Sequence, residues 1–126
     1  MSKYNAKKIH TNEGVFDSVA EYNYWKRLNA FKSDTANANP IESITRQQTY
    51  KLTVNGVLIG KYIADFVVKY KDGSEEVIDY KNPYLLGKGK GTPAGALFQY
   101  KKKLMKAIHN IEIKIVTNES TKNRKG

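Results

Sequence analysis

The chain has 126 residues and no cysteine, so it fits one domain and contains no disulfide, zinc–thiolate site or thiol nucleophile. Its net charge of +10 and its nine tyrosines favour a polyanionic partner. The N-terminal residues are lysine-rich without a following apolar segment, and no long apolar run occurs elsewhere. We therefore expect a soluble, cytoplasmic protein with no signal peptide and no membrane association.

The N-terminal part predicts a polar arm followed by a helix. Residues 1–14 are polar and basic, as in a flexible basic arm. Ser18 and Glu21 then form an S-x-x-E capping box, which predicts a helix over 19–32. A glutamate at this position of a capping box is often purely structural. A structural role and a role in a functional site therefore both remain open for Glu21.

Two hairpins are predicted after this helix. Asn55-Gly56 is a strong two-residue turn signal, and the apolar residues around it alternate, which predicts a hairpin over 47–60. The runs 61–70 and 75–81 are rich in β-branched and aromatic residues and predict a second hairpin. Strict alternation would give the first of these runs one face formed by Tyr62, Ala64, Phe66, Val68 and Tyr70.

The loop of the second hairpin determines whether Asp65 and Asp79 meet. A two-residue loop would place the two carboxylates on opposite faces. A three-residue loop over 71–73, with Gly73 in the left-handed region, would pair residue 65 with residue 79. We favour the second loop, because two acids and Lys81 converging among apolar residues are costly unless they bind a divalent metal ion. The alternative is that each is an ordinary surface residue.

The C-terminal part is basic. A glycine-rich loop over 82–92 precedes a helix that has Thr92 as its cap, residues 111–116 predict a strand, and 118–126 predict a flexible basic tail. Six lysines and no acid lie between residues 88 and 106, which predicts phosphate contacts, although a solvated helix face would give the same pattern. The predicted DNA-binding lysines are Lys88, Lys90, Lys101, Lys102, Lys103 and Lys106.

The order helix, hairpin, hairpin, helix, strand predicts one α/β domain over residues 1–117. Its central sheet should be mixed and flanked by helices, because the second helix forms a crossover to a final parallel strand.

Several segments resemble short phage and prophage proteins of the PD-(D/E)XK nuclease superfamily, described as Holliday junction resolvase-like endonucleases. The resemblance covers about Lys3 to Val116. It depends on the motifs KYNAKK, FDSVAE, RQQTYKL, YIADF, VIDYK and FQYKKKL. Two positions depart from the pattern: Ala64 stands where many superfamily members have proline, and Asn82 where this family tends to have glycine.

The resemblance implies a restriction-endonuclease-like core and metal-dependent hydrolysis of DNA. The residues matching Asp65 and Asp79 bind a catalytic Mg²⁺, with Mn²⁺ as an alternative ion. The residue matching Lys81 orients or activates water, and the one matching Glu21 assists at the metal. Mg²⁺ needs few protein ligands, so the backbone carbonyl of Tyr80 is sufficient as a further ligand. Gln47 is a weaker match to a polar position of the family.

The implied function is a structure-selective endonuclease that resolves branched DNA in the cytoplasm of a host cell. Because symmetric cutting of two strands needs two sites, we expect a homodimer that uses apolar or tyrosine-rich surface near the first helix or first hairpin. Two alternatives remain. One is a nuclease of the same chemistry that cuts ordinary duplex or single-stranded DNA, and the other is a non-catalytic basic DNA-binding module.

Overall fold

A four-stranded mixed sheet forms the centre of the protein, and its strands lie side by side in the order in which they occur along the chain. One helix packs against each face of this sheet. The computed structural model describes residues 8–32, 39–81 and 91–117. The elements are β1 (Ile9–Thr11), β2 (Gly14–Phe16), α1 (Val19–Lys32), β3 (Ile41–Val54), β4 (Val57–Tyr70), β5 (Glu75–Tyr80), α2 (Pro93–His109) and β6 (Lys114–Val116). This order confirms the mixed α/β class. The predicted tail over 118–126 lies outside the described residues.

The N-terminal elements form a small unit beside the sheet. Strands β1 and β2 pair antiparallel, with Ile9 opposite Phe16, so the second half of the predicted arm contains a short hairpin. Helix α1 begins after Ser18, whose Oγ accepts a hydrogen bond from the backbone N–H of Glu21 at 3.0 Å. The predicted cap and the predicted helix over 19–32 are both confirmed.

Strands β3 and β4 form a hairpin with 14 residues in each strand. Asn55 and Gly56 have φ values of 51° and 80°, so the predicted two-residue turn is confirmed. Strand β5 pairs with β4 only from Phe66 to Lys69. The part of the hairpin over residues 48–63, here called the arm, therefore extends past β5.

The loop of the β4–β5 hairpin consists of residues 71–73, because the backbone N–H of Tyr70 donates to the carbonyl of Ser74 at 2.9 Å and these two residues close the ladder. Gly73 has a φ of 94°, and its backbone N–H donates to the carbonyl of Tyr70 at 2.9 Å. Lys69 pairs with Glu75, and the ladder ends where Phe66 pairs with Ile78. Continued by one residue, this register places residue 65 opposite residue 79. The predicted loop over 71–73 is confirmed.

The core has two parts, one on each face of the sheet. Phe66, Val68 and Ile78 pack with Leu28 of α1. The other part packs against α2 and consists of Leu52, Tyr62, Ala64, Val67, Val77, Phe98, Met105 and Ile113.

The predicted common face for Tyr62, Ala64, Phe66, Val68 and Tyr70 is therefore wrong. Tyr62 and Ala64 face α2, whereas Phe66 and Val68 face α1, so the alternation of β4 changes at Asp65. The cause lies in the neighbouring strand. Gln47 of β3 stands opposite Asp65 and has a φ of 56°, which interrupts the regular pleat of the pair at this rung.

Helix α2 is the crossover between β5 and the last strand. The Thr92 side chain caps it by accepting the backbone N–H of Gly95 at 3.2 Å, and Asn110 ends it in the left-handed conformation. Strand β6 then pairs parallel with β5, with Ile78 opposite Lys114, which confirms the predicted parallel final strand. Neither of the two described helices is long and apolar enough to cross a membrane.

Candidate metal-binding active site

Asp65 lies where β4 and β5 diverge. Its Oδ2 accepts a hydrogen bond from the backbone N–H of Tyr80 at 2.7 Å. A side-chain oxygen thus accepts a strand N–H, which fixes the Asp65 carboxyl group between the two strands. The interrupted pleat opposite Gln47 and the three-residue loop of the hairpin both contribute to this placement.

Asp79 is buried, with 4% of its surface exposed. Its Oδ2 accepts a hydrogen bond from the hydroxyl of Tyr62 at 2.7 Å, and its Oδ1 lies 3.4 Å from Nζ of Lys81. The Lys81 ammonium also lies 4.0 Å from the centre of the Phe98 ring, in cation–π geometry. Asp79 and Lys81 are therefore held in fixed positions by partners from β4 and α2.

Helix α1 brings a third carboxylate to the site. Glu21 is buried, with 3% of its surface exposed. One carboxylate oxygen each of Asp17, Glu21 and Asp65 lie within 4.8 Å of one another. Asp17 is exposed and also forms an ion pair with Lys8 at 2.7 Å. Glu21 thus belongs both to the start of the helix and to an acidic cluster.

Burial and neighbouring acids raise the affinity of Asp65 and Glu21 for protons. Burial raises the pKa of Asp65 well above its ordinary value, and the neighbouring Asp79 and Glu21 raise it further. Burial, together with Asp17, raises the pKa of Glu21 to about 7, against the opposing effect of Arg46. A divalent cation would relieve this repulsion. The donor set is carboxylate oxygen, which fits Mg²⁺ or Mn²⁺ better than a thiolate-preferring metal.

These side chains open onto a cleft of about 590 Å³ between β4 and the start of α2. Asp17, Asp65 and Asp79 lie on its wall. The cations on the same wall are Lys61, Lys81 and Lys101. The cleft thus combines acids that suit a metal ion with ammonium groups that suit the phosphates of a substrate.

Comparison with known proteins places the chain in a family. The model of the family described as "Protein of unknown function (DUF1064)" matches residues 1–122. The chain belongs to this family. No curated protein and no solved structure matches it.

The structure of this DUF1064 member brings four predicted site residues together. Asp65, Asp79 and Lys81 line the cleft, and Glu21 lies behind them, close to Asp65. Tyr80 contributes its backbone N–H and lines the same wall. Gln47 is exposed on β3 opposite Asp65.

The predicted DNA-binding lysines are spread along α2. Lys101 lines the cleft and Lys102 is half-buried, while Lys103 and Lys106 are exposed. Lys88 and Lys90 lie outside the described residues.

Sequence reasoning missed three residues of this DUF1064 site. Tyr62 was assigned to the wrong face, and its bond to Asp79 depends on the interrupted pleat. Asp17 directly precedes the capping serine, and only the position of α1 brings it near Asp65. Lys61 is a single lysine without a motif, and its place on the cleft wall follows from the length of β4.

Proposed function

We propose that this protein is a metal-dependent endonuclease of the PD-(D/E)XK type that hydrolyses phosphodiester bonds in branched DNA. A phage Holliday junction resolvase, working in the host cytoplasm, is the specific form of this proposal. The observation that supports it best is the meeting of Asp65, Asp79 and Lys81 in one open cleft, with Glu21 behind them. Two acids and a lysine around an oxygen-donor site suit phosphodiester hydrolysis.

Asp65 and Asp79 would hold Mg²⁺ or Mn²⁺, with Glu21 and the backbone carbonyl of Tyr80 as further ligands. A bound ion of this kind stabilises the charge that develops on the phosphate and lowers the pKa of its water. Tyr62 orients Asp79 by donating to Oδ2. This bond leaves Oδ1 on the side of Lys81.

Lys81 has a separate role in this proposal. Its ammonium is held between Asp79 and the ring of Phe98, with about a fifth of its side chain exposed (19%). It can therefore neutralise a phosphate oxygen in the cleft or position the attacking water, without swinging away into solvent.

The substrate is proposed from charge. The net charge of +10 and the lysines of α2 favour a phosphate backbone, which they would contact without reading base sequence. Lys101 is the α2 lysine on the cleft wall, and Lys102, Lys103 and Lys106 extend the positive surface along the helix. Because such contacts carry little sequence information, selectivity has to come from DNA shape, as in a branch.

We propose a homodimer because one chain contains one set of these acids, and symmetric cleavage of a junction needs two. The turn end of the arm is the best candidate contact. Its exposed apolar residues are Val54, Val57, Leu58 and Ile59.

One assay tests the proposed function. A four-way junction and a linear duplex of matched sequence are incubated with the protein in Mg²⁺ and, separately, in EDTA. Cleavage of the junction alone, in Mg²⁺ alone, is the expected result. Cleavage of both substrates would replace the resolvase with a general nuclease. Tight binding without cleavage would leave a non-catalytic DNA-binding module.

A further inference from the structure

The arm has one covered face and one exposed face. On the covered face, Leu52 and Tyr62 are buried against α2. The opposite face, here called the outer face, consists of three cross-strand pairs whose six side chains are all exposed. The pairs are Thr49 with Ile63, Lys51 with Lys61, and Thr53 with Leu58.

The central pair of the outer face places two positive charges side by side. Lys51 stands directly opposite Lys61, which brings their Cβ atoms to about 5 Å from each other. Like charges at such a pair destabilise a sheet. Neither ammonium forms an ion pair with a described residue. Moreover, the sequence from Ser43 to Ala64 contains no aspartate or glutamate. An anion from outside the chain is the partner that this pair fits.

Helix α2 supports the arm at this same rung. The Nε2 atom of His109 lies 2.8 Å from the backbone carbonyl oxygen of Lys51, and the His109 ring contacts Tyr50 at 5.7 Å between centroids. The lysine pair is therefore attached to the helix that forms one wall of the cleft. The position of the lysine pair relative to the acids is therefore fixed before an anion binds, which lowers the entropic cost of binding that anion.

The outer face is continuous with the candidate active site. Lys61 lies on the cleft wall and precedes Asp65 by four residues on β4. At about 3.3 Å per residue the separation is roughly 13 Å. Along one strand of duplex DNA, this distance spans only a few nucleotides.

We propose that the outer face of the arm binds the phosphate backbone of duplex DNA through Lys51 and Lys61. The contact lies a few nucleotides from the phosphate at Asp65 and Asp79, a position that rests on the proposed nuclease function. The duplex leaving the cleft on this side runs along the arm. The arm thus adds a second phosphate-binding surface to the lysines of α2.

Charge argues against a second copy of the chain on this face. A two-fold symmetric contact places the same patch against itself. Four ammonium groups would then meet without an acid between them. The outer face and the apolar turn end share Leu58, but the turn end is farther from the cleft than the lysine pair. A dimer contact there and DNA on the lysine pair are therefore compatible.

The test compares two double variants that remove the same charge. Lys51→Ala/Lys61→Ala removes the pair, and Lys32→Ala/Lys114→Ala removes one lysine from the far end of α1 and one from β6. Binding to a labelled duplex and a labelled junction is measured in Ca²⁺ at several salt concentrations. We expect the first variant to bind at least about tenfold more weakly, with a salt slope lower by about two, while the control variant stays near the wild type.

A conservative variant separates charge from structure. Lys51→Arg/Lys61→Arg keeps both charges and should bind DNA like the wild type. Equal DNA affinity in the two alanine doubles would overturn the proposal. The proposal would also be overturned if the Lys51→Ala/Lys61→Ala variant lost a dimer in light scattering but kept its DNA affinity. This result would assign the outer face to a second copy of the chain.

The outcomes also separate this inference from the proposed function. If wild-type protein cuts no DNA but the lysine pair still controls binding, the arm inference stands and the nuclease is rejected. If wild-type protein cuts junctions and the Lys51→Ala/Lys61→Ala variant binds and cuts equally well, the nuclease stands and the arm inference is rejected.

Discussion

The hydroxyl of Tyr62 donates a hydrogen bond to Oδ2 of Asp79 at 2.7 Å, and both residues are buried. Tyr62 is on β4 and Asp79 on β5, so the bond crosses between two strands at the edge of the cleft. It holds the carboxylate in one orientation. Metal sites commonly depend on such neighbouring donors to orient their ligands.

Replacing this tyrosine should weaken the site more than the fold. We expect Tyr62→Phe to lower Mg²⁺ affinity or cleavage by about 10- to 100-fold, because the Asp79 carboxylate loses its fixed orientation. Tyr70→Phe is the matched control, since Tyr70 donates a similar bond to Glu76 at 2.6 Å away from the cleft. Both variants should lose comparable stability in urea unfolding. Equal loss of cleavage in both would contradict the orienting role.

The acids should make the metal-free protein less stable as pH rises. The pKa of Glu21 is about 7 in the folded chain and near 4.5 when unfolded, so the folded state binds more protons in between. Stability is therefore greatest below pH 4.5 for this group and falls as pH rises through 7, by an amount on the order of 3 kcal/mol.

Glu21→Gln tests this pH dependence, because its side chain cannot ionise. Urea unfolding in EDTA across this range should show a flatter stability profile for Glu21→Gln than for the wild type. Glu112→Gln, at an exposed position, is the control and should keep the wild-type slope. A Glu21→Gln profile as steep as that of the wild type would contradict a raised pKa at this residue.

The hairpin loop should be sensitive at one glycine. Gly73 has a φ of 94°, and a methyl group added there would meet open space, so Gly73→Ala tests backbone conformation without a steric clash. We expect a loss of about 1–2 kcal/mol in unfolding free energy. Gly91→Ala also meets open space, but without a positive φ, and should be nearly neutral. Equal stability of the two variants would argue against the left-handed loop.

Two lysines should separate turnover from DNA binding. Lys81→Ala should lose cleavage but keep junction affinity, because Lys81 lies beside Asp79 rather than on the outer surface. Lys103→Ala, on the exposed side of α2, should weaken binding and lower the salt slope by about one. Ca²⁺ should support binding without cleavage in both variants and the wild type. Weaker DNA binding by Lys81→Ala, together with lost cleavage but retained binding in Lys103→Ala, would contradict the positions assigned to these two lysines.

Local signals in the sequence were enough to predict the order of the elements. The Ser18 cap, the Asn55-Gly56 turn and the Thr92 cap each depend on a few adjacent residues. The register of β4 and β5 was also predicted correctly, because only the three-residue loop would bring the two acids and Lys81 together. This register and the interrupted pleat at Asp65 together bring Asp65 close to Asp79.

The remaining features of the site depend on contacts between distant parts of the chain. The change of alternation at Asp65 involves Gln47 on another strand, and a pattern in β4 alone does not contain it. For that reason Tyr62 was placed on the wrong face and its bond to Asp79 was missed. Likewise, Asp17 joins the acids only because α1 packs against the sheet beside them.

Cleavage of a four-way junction by Asp79→Asn tests the central claim most directly. The variant keeps the shape of the side chain but removes the charge that would hold Mg²⁺. Asp72→Asn, in the exposed β4–β5 loop, is the matched control. In Mg²⁺ we expect no detectable cutting by Asp79→Asn with junction affinity unchanged or slightly raised, and wild-type cutting by Asp72→Asn. Wild-type cutting by Asp79→Asn would contradict the assignment of this cleft as a metal-dependent nuclease site.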